Sequence, residues 1–507
     1  MTRSSEEIGS GLAPAREARP IRRGERIHVV GAGGAGASAA ALLAQACGAV
    51  VTACDAGGPS PYTAAVEAAG VPLAWEHAAA HVADATGPLV DRLAVTKALT
   101  SVHPDHPELE AARAHGLPLE PWQQVIADAA RTHGGTLVGI AGTHGKSTSS
   151  GWLVHLLAGA GRDPAAFVGA LLPASLTGGL PATARWGSGD VFVVEADEYA
   201  GNFDAYRPDV AVLLNAEWDH PDVFADEAAV LDAFEGWLRA PGAEKRTLVT
   251  NVGDRGVERL LARLGDWPGR VVKVWLLGER DDGTPRGDPD EEGVIGAVID
   301  GDLAFSLYAD FSIREPLLLP GQHNAANALC VGAAAWTLGV PAVDIARGLA
   351  TFAGVGRRLE LKGEPRGVAI LDDYAHHPTA IAASMQAVRE QYPGRRLWAV
   401  YEPLTYHRTA AMLDQFADVL ATADQALVAD IWAGRDPDTT ITSATTLAEA
   451  IAARHGAPAS APGSVEATAD YLASAVDLGD VVLVMGGGRS YVIAERLLER
   501  LSSADGQ

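Results

Sequence analysis

Thr136-Leu-Val-Gly-Ile-Ala-Gly-Thr-His-Gly-Lys-Ser-Thr148 joins an apolar, β-prone run to a glycine-bounded loop, and a helical stretch from Ser149 to Ala160 follows. A continuous apolar run ending in such a loop predicts a buried parallel strand that hands the chain to a helix N-terminus. In the loop, Gly142, Thr143, His144, Gly145, Lys146, Ser147 and Thr148 have the chemistry of a phosphate cradle. Backbone amides face the phosphates, Lys146 reaches the terminal ones, and the Ser147 hydroxyl can ligate magnesium. The strict Walker spacing asks for glycine where this chain has Ile140, so the loop is a variant. The bland alternative is a glycine turn carrying a surface lysine.

Downstream, Asp190–Glu195, Val210–Asn215 and Thr247–Asn251 read as strands, with a helical stretch from Glu227 to Leu238. Alternating strands and helices predict a mostly parallel sheet covered on both faces. Glu195-Ala-Asp197-Glu198 and Asn215-Ala-Glu217-Trp-Asp219-His220 close two of these strands. Carboxylates at the carboxyl ends of parallel strands face the ligand crevice. Beside a phosphate loop they suit oxygen-loving magnesium; without it they are ordinary strand caps. This P-loop ATPase-like domain is expected over 134–354, with Gly278–Gly296 as a solvated loop or hairpin edge.

Upstream, Arg26–Val30 leads into Gly31-Ala-Gly33-Gly34-Ala-Gly36 and an alanine-rich helix, and a second strand ends at Asp55. Strand, glycine turn and helix suggest a Rossmann-like domain over 26–133 that accepts a pyrophosphate at the helix N-terminus. A tight turn or a nicotinamide-type fingerprint also fits this loop. Residues 1–25 are polar, lack an apolar signal-peptide core and predict a disordered tail. A third restart after Gly356 places strands at 369–371, 397–401, 425–429 and 481–485, with a Pro/Ala/Gly-rich connector at His455–Gly463. The fold class is therefore α/β, three domains in series, the last a Rossmann-like domain over 355–507.

Composition narrows the partners. The length of 507 residues suits roughly three domains. The net charge of -25 argues against a nucleic-acid surface. No apolar stretch is long enough to span a membrane. Three cysteines without a CxxC pair suggest a reducing, cytoplasmic setting.

Taken in order, these motifs resemble the Mur ligases, ATP-dependent enzymes that join amino acids to a UDP-linked muramic acid precursor of peptidoglycan. Further matching elements are Leu319-Pro-Gly-Gln-His323-Asn324-Ala-Ala-Asn327, Gly356-Arg357-Arg358-Leu-Glu360 and Asp372-Asp373-Tyr374-Ala-His376-His377-Pro378. The glycine-rich opening and the last element look most like the branch that adds L-alanine to UDP-N-acetylmuramate. No lysine lies between Lys146 and Lys245, which agrees with that branch, since several relatives use a carbamylated lysine for a second magnesium.

The resemblance implies ATP and Mg2+ (Mn2+ is an alternative) as cofactors, with UDP-N-acetylmuramate and L-alanine or a short peptide as substrates. It implies that Lys146 and Ser147 bind ATP phosphates and magnesium, and that Glu195 and His220 position the metal and an acyl phosphate. His323, Asn324 and Asn327 would hold the adenine side, Arg358 would approach the transferred phosphate, and Asp373 and His377 would serve the nucleotide and the amine. Gly31, Gly33, Gly34, Gly36, Ser38, Asp55 and Thr96 would serve the UDP-sugar. A monomer or homodimer is expected, without nucleic acid or a membrane span.

Two departures fall in the third domain. Leu404 replaces a histidine common in the alanine-adding branch, and Arg489 replaces an aspartate. Glu198-Tyr199, Trp218–Phe224, His377–Ile381 and Glu402-Pro403 also look like the murein peptide ligase that recycles a tripeptide onto the same sugar nucleotide, which is the alternative reading. A nicotinamide-dependent oxidoreductase and a catalytically retired sugar-nucleotide-binding paralogue are the readings from other classes.

Overall fold

The computed structural model describes residues 5–503 apart from 104, 278–293, 300–301, 308–311, 435, 437 and 455–457. Much of the segment expected at 278–296 therefore lies outside the described residues. Three α/β sheets follow one another along the chain. They fall into two compact units: Met1–Asp219 with Val223–Val355, and His220–Asp222 with Gly356–Gln507.

The first sheet runs in the order Leu73–Ala74, Val50–Cys54, Arg26–Val30, Arg92–Val95, Leu119–Pro121, with every pairing parallel. Strand order reverses beside Arg26–Val30, and such a switch point opens a crevice at the strand ends. The glycine loop leaves the sheet there.

In the second sheet Thr136–Ala141 is central, flanked in parallel by Val191–Glu195 and Val210–Leu213. Its carboxyl end feeds the helix Lys146–Gly159. Parallel pairing continues through Thr247–Asn251, Arg270–Leu276 and Val294–Ile299, and the antiparallel strands Asp302–Leu307 and Ser312–Pro316 finish that edge. The helix Gln322–Thr337 packs its apolar side into the core of this sheet.

The first two sheets share a hydrophobic core, in which Ala40 and Leu43 of the helix Ala35–Ala46 join Phe167 and Phe192 of the central sheet. Trp122 meets Phe167 edge to face at 5.4 Å.

From Ser5 on, the amino-terminal segment is not the disordered tail expected. A turn of helix at Ser5–Ile8 buries Ile8 beside Tyr199 and Ala200, and Thr100 Oγ1 donates to the Ile8 carbonyl. Arg16 pairs with Glu120 and the buried Asp128, while Arg19 pairs with Glu25. The arginines that make this segment look solvated are its anchors.

The third sheet has the order Glu360–Gly363, Ala369–Asp373, Val481–Gly486, Leu397–Glu402, Gln425–Ala429, Ala459–Gly463, parallel except at its first strand. Part of the expected connector is thus a strand. It lies at the sheet edge, where Pro462 is tolerated because a missing ladder donor there costs little.

Candidate active site

The phosphate-loop candidates sit where the central strand meets its helix. Gly145 adopts a left-handed φ of 80° as the residue before the helix Lys146–Gly159, which turns the following amides toward the loop opening. A side chain there would meet the Asn327 amide at 2.8 Å, so Asn327 packs directly on the loop. Thr143 and His144 tie the loop to the neighbouring strand end. Thr143 Oγ1 donates to the Glu217 carbonyl and accepts from the Glu217 amide, each at 2.9 Å. Asn215 exchanges hydrogen bonds with the His144 backbone, and His144 Nε2 lies 2.9 Å from Glu217 Oε2.

Lys146 Nζ donates to the Gly142 carbonyl at 2.6 Å and to Glu198 Oε2 at 2.9 Å, with Asp197 at 3.5 Å. Burial works against its charge, but the Glu198 and Asp197 carboxylates outweigh it and hold the ammonium protonated, with its pKa raised. A fixed cation under a phosphate-sized loop suits electrostatic stabilisation of phosphoryl transfer. Ser147 Oγ donates to Glu195 Oε1 at 3.0 Å, and the Gly169 amide donates to Glu195 Oε2 at 2.6 Å. This hydroxyl–carboxylate pair at a strand end supplies the hard oxygen donors that magnesium prefers. Gly169 was not among the expected site residues; a side chain there would meet the Glu195 carboxylate at 2.7 Å, a constraint that no local pattern signals. Glu198 stood within a recognised cluster, but only the fold shows it to be the lysine's partner.

His323 and Asn324 open the helix Gln322–Thr337. The His323 side chain is exposed, and the Asn324 amide donates to the Pro320 carbonyl at 2.8 Å.

At the first loop, Gly31 has φ 87° and its amide donates to the Cys54 carbonyl. Asp55 receives the Gly33 and Gly57 amides at 2.8 and 2.7 Å, so its carboxylate holds the loop in shape. Gly34 precedes the helix Ala35–Ala46. Thr96 precedes the helix Lys97–Val102 and lies against Gly31. Ser38 departs from expectation: it is fully buried, and its hydroxyl bonds the Ala35 carbonyl and Thr183 Oγ1. It joins the helix Ala35–Ala46 to the central domain.

In the second unit, the Arg357 guanidinium is buried against Asp372, the Gly486 carbonyl and Ser490. Arg358 lies over the Tyr374 ring at 4.7 Å. Asp373 accepts the Leu359 and Ala375 amides, both at 2.7 Å, and burial raises its pKa against the pull of Arg358. His377 caps the helix Pro378–Gln391, its Nδ1 accepting from the Thr379 amide. His220 belongs to the 220–222 segment of this unit; its φ is 56° and its Nδ1 lies 3.0 Å from an Arg408 nitrogen. Leu404 bridges to Trp432, and Arg489 pairs at the surface with Glu466.

Sequence profiles match all three parts of the chain: the Mur ligase family catalytic domain at residues 26–133, the Mur ligase middle domain at 140–335, and the Mur ligase glutamate ligase domain at 357–488. The chain belongs to the Mur ligase family. A UDP-N-acetylmuramate–L-alanine ligase from Frankia casuarinae is 37% identical over 95% of this chain and 98% of its own. The solved UDP-N-acetylmuramate–alanine ligase from Thermotoga maritima superposes with a TM-score of 0.74 at 24% identity, covering 94% of this chain and 99% of that one. A murein peptide ligase from Psychrobacter arcticus gives a TM-score of 0.70 at 25% identity, with the same coverage. As a Mur ligase, the chain is an ATP-dependent enzyme of amide-bond formation, and a nicotinamide-dependent oxidoreductase is excluded. Among the described residues no helix is long and apolar enough to cross a membrane.

Proposed function

We propose that this Mur ligase joins L-alanine to the carboxylate of UDP-N-acetylmuramate in the cytoplasm, consuming ATP and releasing ADP and phosphate. The observation that carries the reading is the set Lys146, Ser147 and Glu195 at the carboxyl end of the central strand, in a chain whose full-length relative bears that activity in its name.

A carboxylate is a poor electrophile. Transfer of the γ-phosphoryl group to it gives an acyl phosphate, whose phosphate leaves when the alanine amine attacks the carbonyl carbon. The amine loses a proton and the amide forms. The loop amides and Lys146 bind the nucleotide phosphates and offset the negative charge of the transfer. Magnesium fits the oxygen donors Ser147 and Glu195, and when bound would neutralise phosphate charge. Glu198 keeps Lys146 protonated and aimed at the loop. The glycine loop after Arg26–Val30 takes the UDP-sugar diphosphate, with Asp55 shaping it. His323, Asn324 and Asn327 serve the adenine side, and His220, Arg358, Asp373 and His377 are assigned to the transferred phosphate, the nucleotide and the amine.

The runner-up, tripeptide transfer by a murein peptide ligase, rests on Glu198-Tyr199, Trp218–Phe224, His377–Ile381 and Glu402-Pro403. Acceptor competition decides between them: phosphate release with UDP-N-acetylmuramate is measured with L-alanine, glycine, L-serine or L-Ala-D-Glu-diaminopimelate. Preference for L-alanine is expected, and preference for the tripeptide would overturn the alanine assignment.

A further inference from the structure

On the face of the first sheet opposite the helix Ala35–Ala46, four histidines, one cysteine and one glutamate converge on a single point. His28 comes from the strand Arg26–Val30 and Cys54 from the end of Val50–Cys54. His77 and His81 lie around the short turn Ala79–His81, and His106 and Glu108 open the helix Pro107–Ala114. None of these residues takes part in the phosphate, sugar or amine chemistry above.

Glu108 is fully buried, and among the described residues its ion pairs are all with histidines. His81 Nδ1 is 2.6 Å from Glu108 Oε1, Cys54 Sγ 3.1 Å, and His28 Nε2 3.4 Å. His77 and His106 approach Oε2 at 3.6 and 3.7 Å. The donor atoms of His28, Cys54, His81 and Glu108 all lie within 4.8 Å of one another. Zinc bonds of about 2.0–2.3 Å to nitrogen, oxygen and sulfur imply tetrahedral edges of about 3.3–3.7 Å, close to most of these separations. Closing these donors around an ion would lengthen the His81–Glu108 contact and, slightly, the Cys54–Glu108 contact.

Two further observations favour an ion over a purely hydrogen-bonded cluster. His28 Nε2 makes no hydrogen bond among the described residues, and unsatisfied buried polar atoms are costly. The other ring nitrogen of His28, Nδ1, lies 2.8 Å from Thr52 Oγ1. If Nδ1–H donates to that hydroxyl, the Nε2 lone pair is directed into the cluster, as outer-shell partners of metal-bound histidines do.

We infer that the amino-terminal domain holds one structural Zn2+ ion on His28 Nε2, Cys54 Sγ, His81 Nδ1 and Glu108, fastening two strands to the Ala79–His81 turn and the helix Pro107–Ala114. One thiolate, two imidazoles and a carboxylate in a closed, buried site match zinc's preferences and leave no open position for a substrate.

The test uses the untagged full-length protein, stripped with a chelator, reloaded with Zn2+ in excess Mg2+, desalted and assayed for metal by mass spectrometry. About one zinc per chain should be retained, as for a closed four-ligand site, and the thermal midpoint should rise on reloading. Cobalt substitution should give a thiolate-to-metal charge-transfer band in the intact protein. Cys54→Ser should abolish that band, and Thr52→Val should weaken zinc binding by about 10- to 100-fold. The wild-type cobalt spectrum keeps the test decisive even if a variant fails to fold. Loss of zinc on desalting, or a cobalt complex without the thiolate band, would overturn the site.

Discussion

Ser147 Oγ donates a 3.0 Å hydrogen bond to Glu195 Oε1, bringing the first turn of the phosphate-loop helix against the end of the adjacent strand. The other carboxylate oxygen is held by the Gly169 amide, so the pair is preorganised. Glu195→Gln retains the shape but removes the anion. We expect turnover to fall by about 10²–10³-fold, the scale of losing one preorganised electrostatic group, with a raised magnesium requirement. Phosphate release titrated with Mg2+ measures both.

Lys146 and Glu198 form a second pair, in which the glutamate is buried. Lys146→Ala should abolish turnover and also cost stability, on the order of 3 kcal/mol, because an unpaired carboxylate remains buried. Adding Glu198→Gln should restore most of the thermal midpoint and none of the activity. Recovery of turnover in the double variant would show that Lys146 serves only as a counterion.

The glycine loop makes a packing prediction. A methyl group at Gly36 would stand 2.2 Å from the Trp122 ring, whose partner Phe167 belongs to the central sheet. Gly36→Ala should destabilise the protein by about 1–3 kcal/mol through overpacking. Thermal unfolding checks it, and an unchanged midpoint would contradict the placement of Trp122.

These features differ in how far they could be read from sequence. The two glycine loops were legible because strand, glycine turn and helix N-terminus are consecutive residues, each with its own local preference. The helix Glu227–Leu238 and the strand Thr247–Asn251 fall where periodicity put them. Arg16 and Arg19 look solvated until Asp128 and Glu25 are brought beside them. Ser38 lies next to the glycines but faces Thr183, 145 residues away. His28, Cys54, His81 and Glu108 are spread over two strands, a turn and a helix and form no spacing motif. In each case the missing information is a long-range contact.

Glu402 supplies a pH signature in the third sheet. Burial pushes its pKa from 4.5 up to about 7, against the backbone amides of Arg489 and Ser490. Because the folded state holds this proton more tightly than the unfolded chain, stability should decline as pH rises from about 4.5 to about 7. Glu402→Gln should remove that part of the decline and be the more stable form at pH above 7. Denaturant unfolding across the range compares the two, and parallel curves would contradict the shift.

The most direct measurement is ATP-dependent phosphate release by the purified chain with UDP-N-acetylmuramate, with and without L-alanine. The account predicts that L-alanine stimulates release, that one UDP-linked alanyl product forms for each phosphate, and that Lys146→Ala abolishes both. Binding of the sugar nucleotide without stimulation by any amine would contradict it.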